Sequence, residues 1–256
     1  MTSSKNEQFS KADRVLMAGM PFDLLTLETV DDLLASRSSD APFEYVVTPN
    51  VDHVVKNHQQ GNRHLYEEAW ISVCDSRILA KLGKLVSIHF PDVITGSDLT
   101  RRILDSFLKP SDHITVIGTD ARYIEQLRVR FPGVVVHHYN PPMGFIKDAE
   151  EVERTVDFVV SHPSRFVFLA VGAPQQEKLA LSIRRKGTAK GIGLCIGASI
   201  LFVVGAEKRA PEWVQRLHME WLFRLLQDPK RLWKRYLVDD PLVFWLVVRQ
   251  RLRNSK

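Results

Sequence analysis

Residues 165–178 read RFVFLAVGAPQQEK. The apolar run from Phe166 to Val171 ends at Gly172, Pro174 follows, and Gln175, Gln176 and Glu177 stand before the next helical pattern. A short apolar run bounded by such punctuation predicts a buried strand, a turn and a helix start. That junction is where open α/β sheets bind ligands.

The rest of the chain repeats the unit. β-rich runs occur at EYVVT (44–48), HITVIG (113–118), GVVVHH (133–138) and GLCIG (193–197), with a shorter one at ISVCD (71–75). DARYIEQLRVRF (120–131) and EEVERTVDFVVSH (150–162) instead space their apolar residues three and four apart, as helices do. Strands alternating with helices predict a Rossmann-like α/β domain over residues 15–205, its mostly parallel sheet covered by helices on both faces.

Beyond residue 205 the composition changes. Residues 209–253 carry ten Lys and Arg against five Asp and Glu, and four of the five tryptophans: Trp213, Trp221, Trp233 and Trp245. Pro211, Pro229 and Pro241 divide this stretch into three expected short helices, since proline suits a helix start. Residues 206–256 are therefore expected to form a basic, aromatic helical appendage. Residues 1–14, polar and without an apolar signal region, read as a disordered lead-in.

Size and composition narrow the function. A chain of 256 residues with 45% hydrophobic content can build a core without staples, and Cys74 and Cys195 have no disulfide or zinc spacing. A reducing cytoplasm fits this usage. No stretch reaches the roughly 18–20 apolar residues needed to span a bilayer. A net charge of +5 favours anionic partners: nucleic acid, phosphorylated small molecules or anionic lipid.

Three strand ends carry polar groups, each with a structural role to weigh against chemistry. In VTPNVDHVV (47–55), Thr48 closes a strand and Asn50 stands at a helix start, where asparagine is often only a cap. In VCDSRILAKL (73–82), Asp75 reads equally well as a cap and as a general base at the sheet's carboxyl edge. At Gly172 to Glu177, a helix N-terminus with Gln176 beside it suits a sugar or phosphate. In a parallel sheet all three face one crevice. GIGLCIGAS (191–199) does not match the dinucleotide fingerprint, and the absence of Asp-x-Asp and HExxH leaves a metal site without support; no cofactor is expected.

In the appendage, Arg224, Arg231 and Arg235 recur beside apolar turns, suited to clamping phosphate. The last helix joins LVFWLVV to RQRLR, the composition of a segment lying at a membrane surface. The bland alternative is a helical subdomain packed on the sheet.

TPNVDH, the aspartate after a short strand, TGSDL (95–99), VGAPQQE, IGAS, and above all KRAPEW with MEWLFRLLQDPKRLWKRY resemble the WecG/TagA/CpsF bacterial glycosyltransferases, over roughly Val15 to Val247. The resemblance implies an inverting, metal-independent transferase. It would move a sugar from a UDP-sugar to a polyprenyl-diphosphate-linked sugar at the inner face of the cell membrane, in wall polymer, capsule or exopolysaccharide synthesis. By resemblance Asp75 is the base, Thr48, Asn50 and Gln176 are active-site residues, and Arg224, Arg231 and Arg235 belong to a lid. Gly172, Gln176 and Glu177 would lie on the rim of the donor crevice, Glu177 orienting or capping, or serving as an alternative base. Three positions depart from the family pattern: Asp75-Ser76-Arg77 replaces the frequent Asp-Gly, Val93 falls near a family arginine, and IGASILF lacks the frequent acidic residue.

Two rival classes remain. A nucleic-acid-binding protein would place its charge along a strand face or recognition helix, whereas here it lies beside apolar helices, so no nucleic acid is expected. A non-catalytic membrane-surface protein would keep the appendage but tolerate loss of the crevice side chains. The sequence is compatible with an oligomer.

Overall fold

Strands buried on both faces need apolar residues at every position, and the central strands have them. The computed structural model describes residues 14–207, 210–211, 214 and 219–254, without the Arg231 side chain. Most of the expected lead-in, the start of the appendage with Trp213, and the Arg231 side chain therefore lie outside the described residues.

The described residues open with a hairpin of β1 (Val15–Met17) and β2 (Met20–Phe22), which the sequence pattern does not announce. Then come α1 (Leu27–Ser36), β3 (Glu44–Val47), α2 (Val51–Gln60), α3 (Arg63–Glu67), β4 (Ile71–Ser72), α4 (Arg77–Gly83) and α5 (Gly96–Arg102). Next are β5 (His113–Gly118), α6 (Ala121–Arg130), β6 (Val135–Tyr139), α7 (Ala149–Ser161), β7 (Phe166–Ala170), α8 (Gln175–Lys186), β8 (Ile192–Cys195) and α9 (Ser199–Val203). The C-terminal helices are α10 (Glu220–Gln227), α11 (Pro229–Lys234) and α12 (Leu242–Asn254).

Six strands form one sheet in the order β4-β3-β8-β7-β5-β6, every pairing parallel. The expected α/β class is thus the observed one. Side chains alternate along each strand. Val167 and Leu169 enter the core shared with α2, α8 and α12, while Phe166 and Phe168 enter the core shared with α1, α5, α6 and α9. Because both faces are covered, the apolar run of β7 has no polar alternation.

Two tertiary anchors hold the periphery. The Arg14 guanidinium pairs with Asp23 at 2.7 Å and donates to the carbonyls of Glu67, Ala69 and Trp70 at 2.7–2.9 Å, tying the chain start to β4. At the other end α12 buries Val243, Leu246 and Val247, and Gln250 brackets the hairpin, accepting from the Ala18 N–H at 2.6 Å and donating to the Leu16 carbonyl at 2.8 Å. The last helix is thereby part of the core on one face.

Candidate functional site

All parallel strands end at the same edge, so the loops leaving them converge there. A cleft of about 950 Å³ opens at that edge. Its walls take Thr48 and Asn50 from after β3, Asp75 from after β4, Asp120 from after β5, Gly172 and Gln176 from after β7, and Ser199 from after β8. Arg224 and Arg235 close it from the C-terminal helices.

Asp75 is not the cap of α4. Ser76 is: its Oγ accepts from the Leu79 N–H at 3.2 Å. The Asp75 carboxylate instead reaches across the cleft floor and its Oδ2 accepts from the Gly96 N–H at 3.0 Å. Burial pushes its pKa up to about 7, against the Gly96 hydrogen bond and the nearby Arg224, which favour the ionised form. A carboxyl group poised near neutrality at the mouth of a cleft can exchange a proton with a bound hydroxyl.

The TGSDL segment supplies this geometry. Thr95 caps α5, its Oγ1 accepting from the Asp98 N–H at 3.0 Å, which leaves the Gly96 N–H directed at Asp75. A Cβ on Gly96 would lie 3.0 Å from Thr48 Oγ1 and 3.5 Å from Ser199 Oγ. Glycine here lets three strand ends approach one another.

Asn50 does cap α2, as its structural role predicts, and also faces the cleft. Its Oδ1 accepts from the His53 N–H at 3.4 Å, while His53 Nδ1 accepts from the Asn50 N–H at 3.3 Å, a capping box with histidine in the place of the usual Glu or Gln. His53 lines the cleft and brings its Nε2 within 3.6 Å of Glu177 Oε1. Sequence reasoning does not single out His53; its signal is the Asn-x-x-His spacing within TPNVDH.

Gln176 and Glu177 differ in placement. Gln176 lines the cleft but is only 3% exposed, its Oε1 accepting from the Gly197 N–H at 2.9 Å and its Nε2 donating to Glu177 Oε1 at 2.8 Å. It clasps the ends of β7 and β8 together. Glu177 is 1% exposed and lies behind the cleft wall, not on its rim, with Oε2 unpartnered among the described residues. Gly172 makes the turn between β7 and α8 at a φ of 79°, a conformation that excludes most side chains.

Among the described residues, the arginines are held by side chains alone. Arg224 pairs with Glu220 at 3.1 Å and lies over the Phe202 ring at 5.2 Å. Arg235 is 3.5 Å from Asp52 and 3.8 Å from Asp240. Burial disfavours the Asp52 carboxylate, but Arg235 and Lys56 outweigh it and hold its pKa below the ordinary value. For Asp240 burial wins and the pKa rises to about 6. Among the described residues no group of three His, Cys, Asp or Glu side chains is arranged to hold a metal ion.

A parallel sheet whose carboxyl edge opposes a carboxyl group of raised pKa to two arginines has the makings of a group-transfer enzyme for anionic substrates. The chain matches the family described as Glycosyl transferase WecG/TagA/CpsF family over residues 15–256, and it belongs to that family of glycosyltransferases. It is similar to the N-acetylglucosaminyldiphosphoundecaprenol N-acetyl-beta-D-mannosaminyltransferase of Bacillus spizizenii strain W23, 31% identical over 160 residues that cover 61% of this chain and 60% of that one. Proteins of the same name from Staphylococcus aureus strains MW2 and MRSA252 are 23% and 25% identical, each match covering 98% of both chains.

Proposed function

We propose that the protein transfers a hexose or N-acetylhexosamine from a UDP-sugar to the sugar of a polyprenyl-diphosphate-linked acceptor, with inversion and without a metal ion. The observation that carries this reading is Asp75: it is not the cap of α4, it accepts from the first N–H of α5, its pKa is raised toward neutrality by burial, and it shares the cleft with Arg224. The relatives' name, N-acetylglucosaminyldiphosphoundecaprenol N-acetyl-beta-D-mannosaminyltransferase, supports the same class of transferred sugar and of acceptor.

In the reaction the Asp75 carboxylate removes the proton of the acceptor hydroxyl. Its oxygen bonds to the anomeric carbon from the face opposite the diphosphate, the bond from carbon to phosphate oxygen breaks, and the electron pair leaves with UDP. That charge meets Arg224 and Arg235, with Arg231 as the third arginine of the same segment, each group worth about 3 kcal/mol when preorganised. Asn50, Thr48 and Gln176 shape the donor side, with Glu177 and His53 holding them in place from behind.

The outer face of α12 serves as the membrane contact. Phe244, Trp245, Val248 and Leu252 are about half exposed or more and lie along one side of that helix, with Arg249, Arg251 and Arg253 beside them. No helix among the described residues is long and apolar enough to cross a membrane. Such a face lies in the headgroup region of an anionic inner surface, where the acceptor resides.

The test is to incubate purified protein with a panel of UDP-sugars, UDP-N-acetylmannosamine among them, and a short-chain isoprenyl-diphosphate N-acetylglucosamine, then weigh the product and determine its anomeric configuration. A disaccharide of inverted configuration is expected. A product of retained configuration, or no transfer from any UDP-sugar, overturns the reading.

A further inference from the structure

Asp75 belongs to two chambers, not one. On its other side from the sheet-edge cleft lies a slot of about 380 Å³, built between the start of α4 and the C-terminal helices. Ile78, Trp221, Pro241 and Phe244 give the slot an apolar wall. Asp75, Arg224, Arg235 and Tyr236 line both chambers and form the partition between them.

The charged groups of the slot are not equivalent. Glu220 is paired with Arg224, and Asp240 lies beside Arg235. Arg77 is exposed, and among the described residues it has no hydrogen-bond or ion-pair partner. It stands two positions after Asp75, where the sequence departs from the Asp-Gly pattern of the family. Long apolar walls with one unpaired guanidinium call for a ligand that is part hydrocarbon and part anion.

We infer that this slot binds the sugar-diphosphate end of the lipid-linked acceptor, with Arg77 gripping its diphosphate and the apolar wall receiving the first isoprene units. The inference rests on the lipid-linked acceptor proposed above and assigns it a place. Inversion requires the acceptor hydroxyl and the donor's departing diphosphate to lie on opposite sides of the anomeric carbon, while the base touches the acceptor. Two chambers that share one carboxylate satisfy both demands. The larger cleft has room for a nucleotide and its sugar; the slot, less than half its volume, does not. Phe244, which lines the slot, is also part of the exposed apolar face of α12, so the slot wall and the proposed membrane contact share a residue. A planar guanidinium matches diphosphate oxygens two at a time.

Arg77 is exposed, so Arg77→Ala is expected to fold as the wild type does. Calorimetric titration of the full chain compares three probes: geranyl-diphosphate N-acetylglucosamine, an octyl glycoside of the same sugar with no diphosphate, and UDP. Arg77→Ala is expected to weaken the first at least tenfold and to leave the other two within twofold, with Arg77→Lys recovering part of the loss. In turnover the acceptor KM should rise while the donor KM stays. Loss of UDP affinity instead would give the slot to the donor, and unchanged affinity for the diphosphate probe would remove Arg77 from acceptor binding; either overturns the inference while leaving the transferase reading intact. A wild-type protein that binds no diphosphate-linked probe overturns the acceptor reading itself, and the slot assignment with it.

Discussion

The sheet edge and the C-terminal helices build facing walls of one cleft by different means. At the sheet edge each functional group is fixed by backbone: Asp75 by the Gly96 N–H, Gln176 by the Gly197 N–H and Asn50 by the His53 N–H. On the helices Arg224 and Arg235 are held by carboxylates at 3.1–3.8 Å and lie over the Phe202 and Tyr236 rings, with no backbone partner among the described residues. Backbone-anchored groups do not reorient when substrate arrives. Arg224, resting on the half-buried Glu220, exchanges it for phosphate at small cost, because such partly exposed ion pairs contribute about 0–1 kcal/mol, whereas Arg235 rests on the buried Asp52 and Asp240. Under the proposed mechanism the difference separates a rigid base from an adaptable anion clamp.

Removing the rigid element should have the largest effect. Asp75→Asn keeps an oxygen for the Gly96 N–H but cannot take a proton, and the rate is expected to fall by about 10²–10⁴. Stability should move the other way. The Asp75 pKa rises from 3.8 to about 7 in the folded protein, so the native state binds the proton more tightly. That contribution is full at low pH and is lost as pH rises through about 7, leaving an ionised, partly buried carboxylate above it. Asp75→Asn should therefore raise the unfolding free energy at pH 8 by on the order of 3 kcal/mol, with no gain at pH 4. Wild-type turnover should climb with pH through about 7 and then level. A variant with full activity, or one destabilised at pH 8, breaks the distinction.

A smaller effect is expected from crowding the same wall without touching its chemistry. Gly96→Ala places a methyl 3.0 Å from Thr48 Oγ1, so the ends of β3 and α5 must part by a few tenths of an ångström. Helix propensity favours alanine, so the thermal midpoint should hold. The rate should nonetheless drop about tenfold, since displacements under 1 Å matter for aligned groups. Equal losses in rate and stability would mean that the close approach serves packing alone.

How much of this is legible in the sequence depends on the same physics. β7 and β5 are readable nearly to the residue because both faces are buried and the runs are unbroken. The hairpin of β1 and β2 is not, since three-residue strands are too short to display a period. Thr48, Asn50, Asp75 and Gln176 can be found because strand ends of a parallel sheet must converge. Whether Asp75 is cap or chemistry turns on one residue, Ser76, whose hydroxyl takes the cap and frees the carboxylate. Sequence proximity to Gln176 puts Glu177 on the rim with it, whereas both are buried and consecutive helix positions face different ways, so that Gln176 lines the cleft and Glu177 does not. His53 escapes a local reading because its contact with Glu177 joins α2 to α8 across the sheet edge. The facing of Arg224 and Arg235 into the cleft depends on how helices dock, which no local pattern records.

The helical wall can be probed from its outer side. Trp245→Ser with Leu252→Ser removes exposed apolar area, 52% and 63% accessible in the wild type, while Val243, Leu246 and Val247 still hold α12 on the core. Partition onto anionic vesicles should fall about tenfold, and added salt should weaken the wild type further, since each arginine near such a surface adds roughly 1 kcal/mol. The rate on a soluble acceptor should change less than twofold. Undiminished vesicle binding would reassign the exposed apolar face of α12.

The smallest expected effect concerns the clamp itself. If Arg224 and Arg235 receive the charge of the leaving diphosphate, the reaction draws no stabilisation from a divalent ion. Treatment with EDTA should then leave the initial rate within about 20% of the untreated enzyme at matched ionic strength, a change of about 0.1 kcal/mol in the barrier. Ionic strength must be matched because salt screens the partly exposed arginines and would slow the reaction by itself. Arg224→Ala provides the contrast, for it removes a cation from the side of the cleft where charge is proposed to develop and should lower the rate about 10²-fold. A strict Mg²⁺ requirement in the wild type, with Arg224→Ala nearly silent, would transfer the role of anion clamp from the helices to a metal and make Glu220 and Asp228, which also line the cleft, the side chains to examine next.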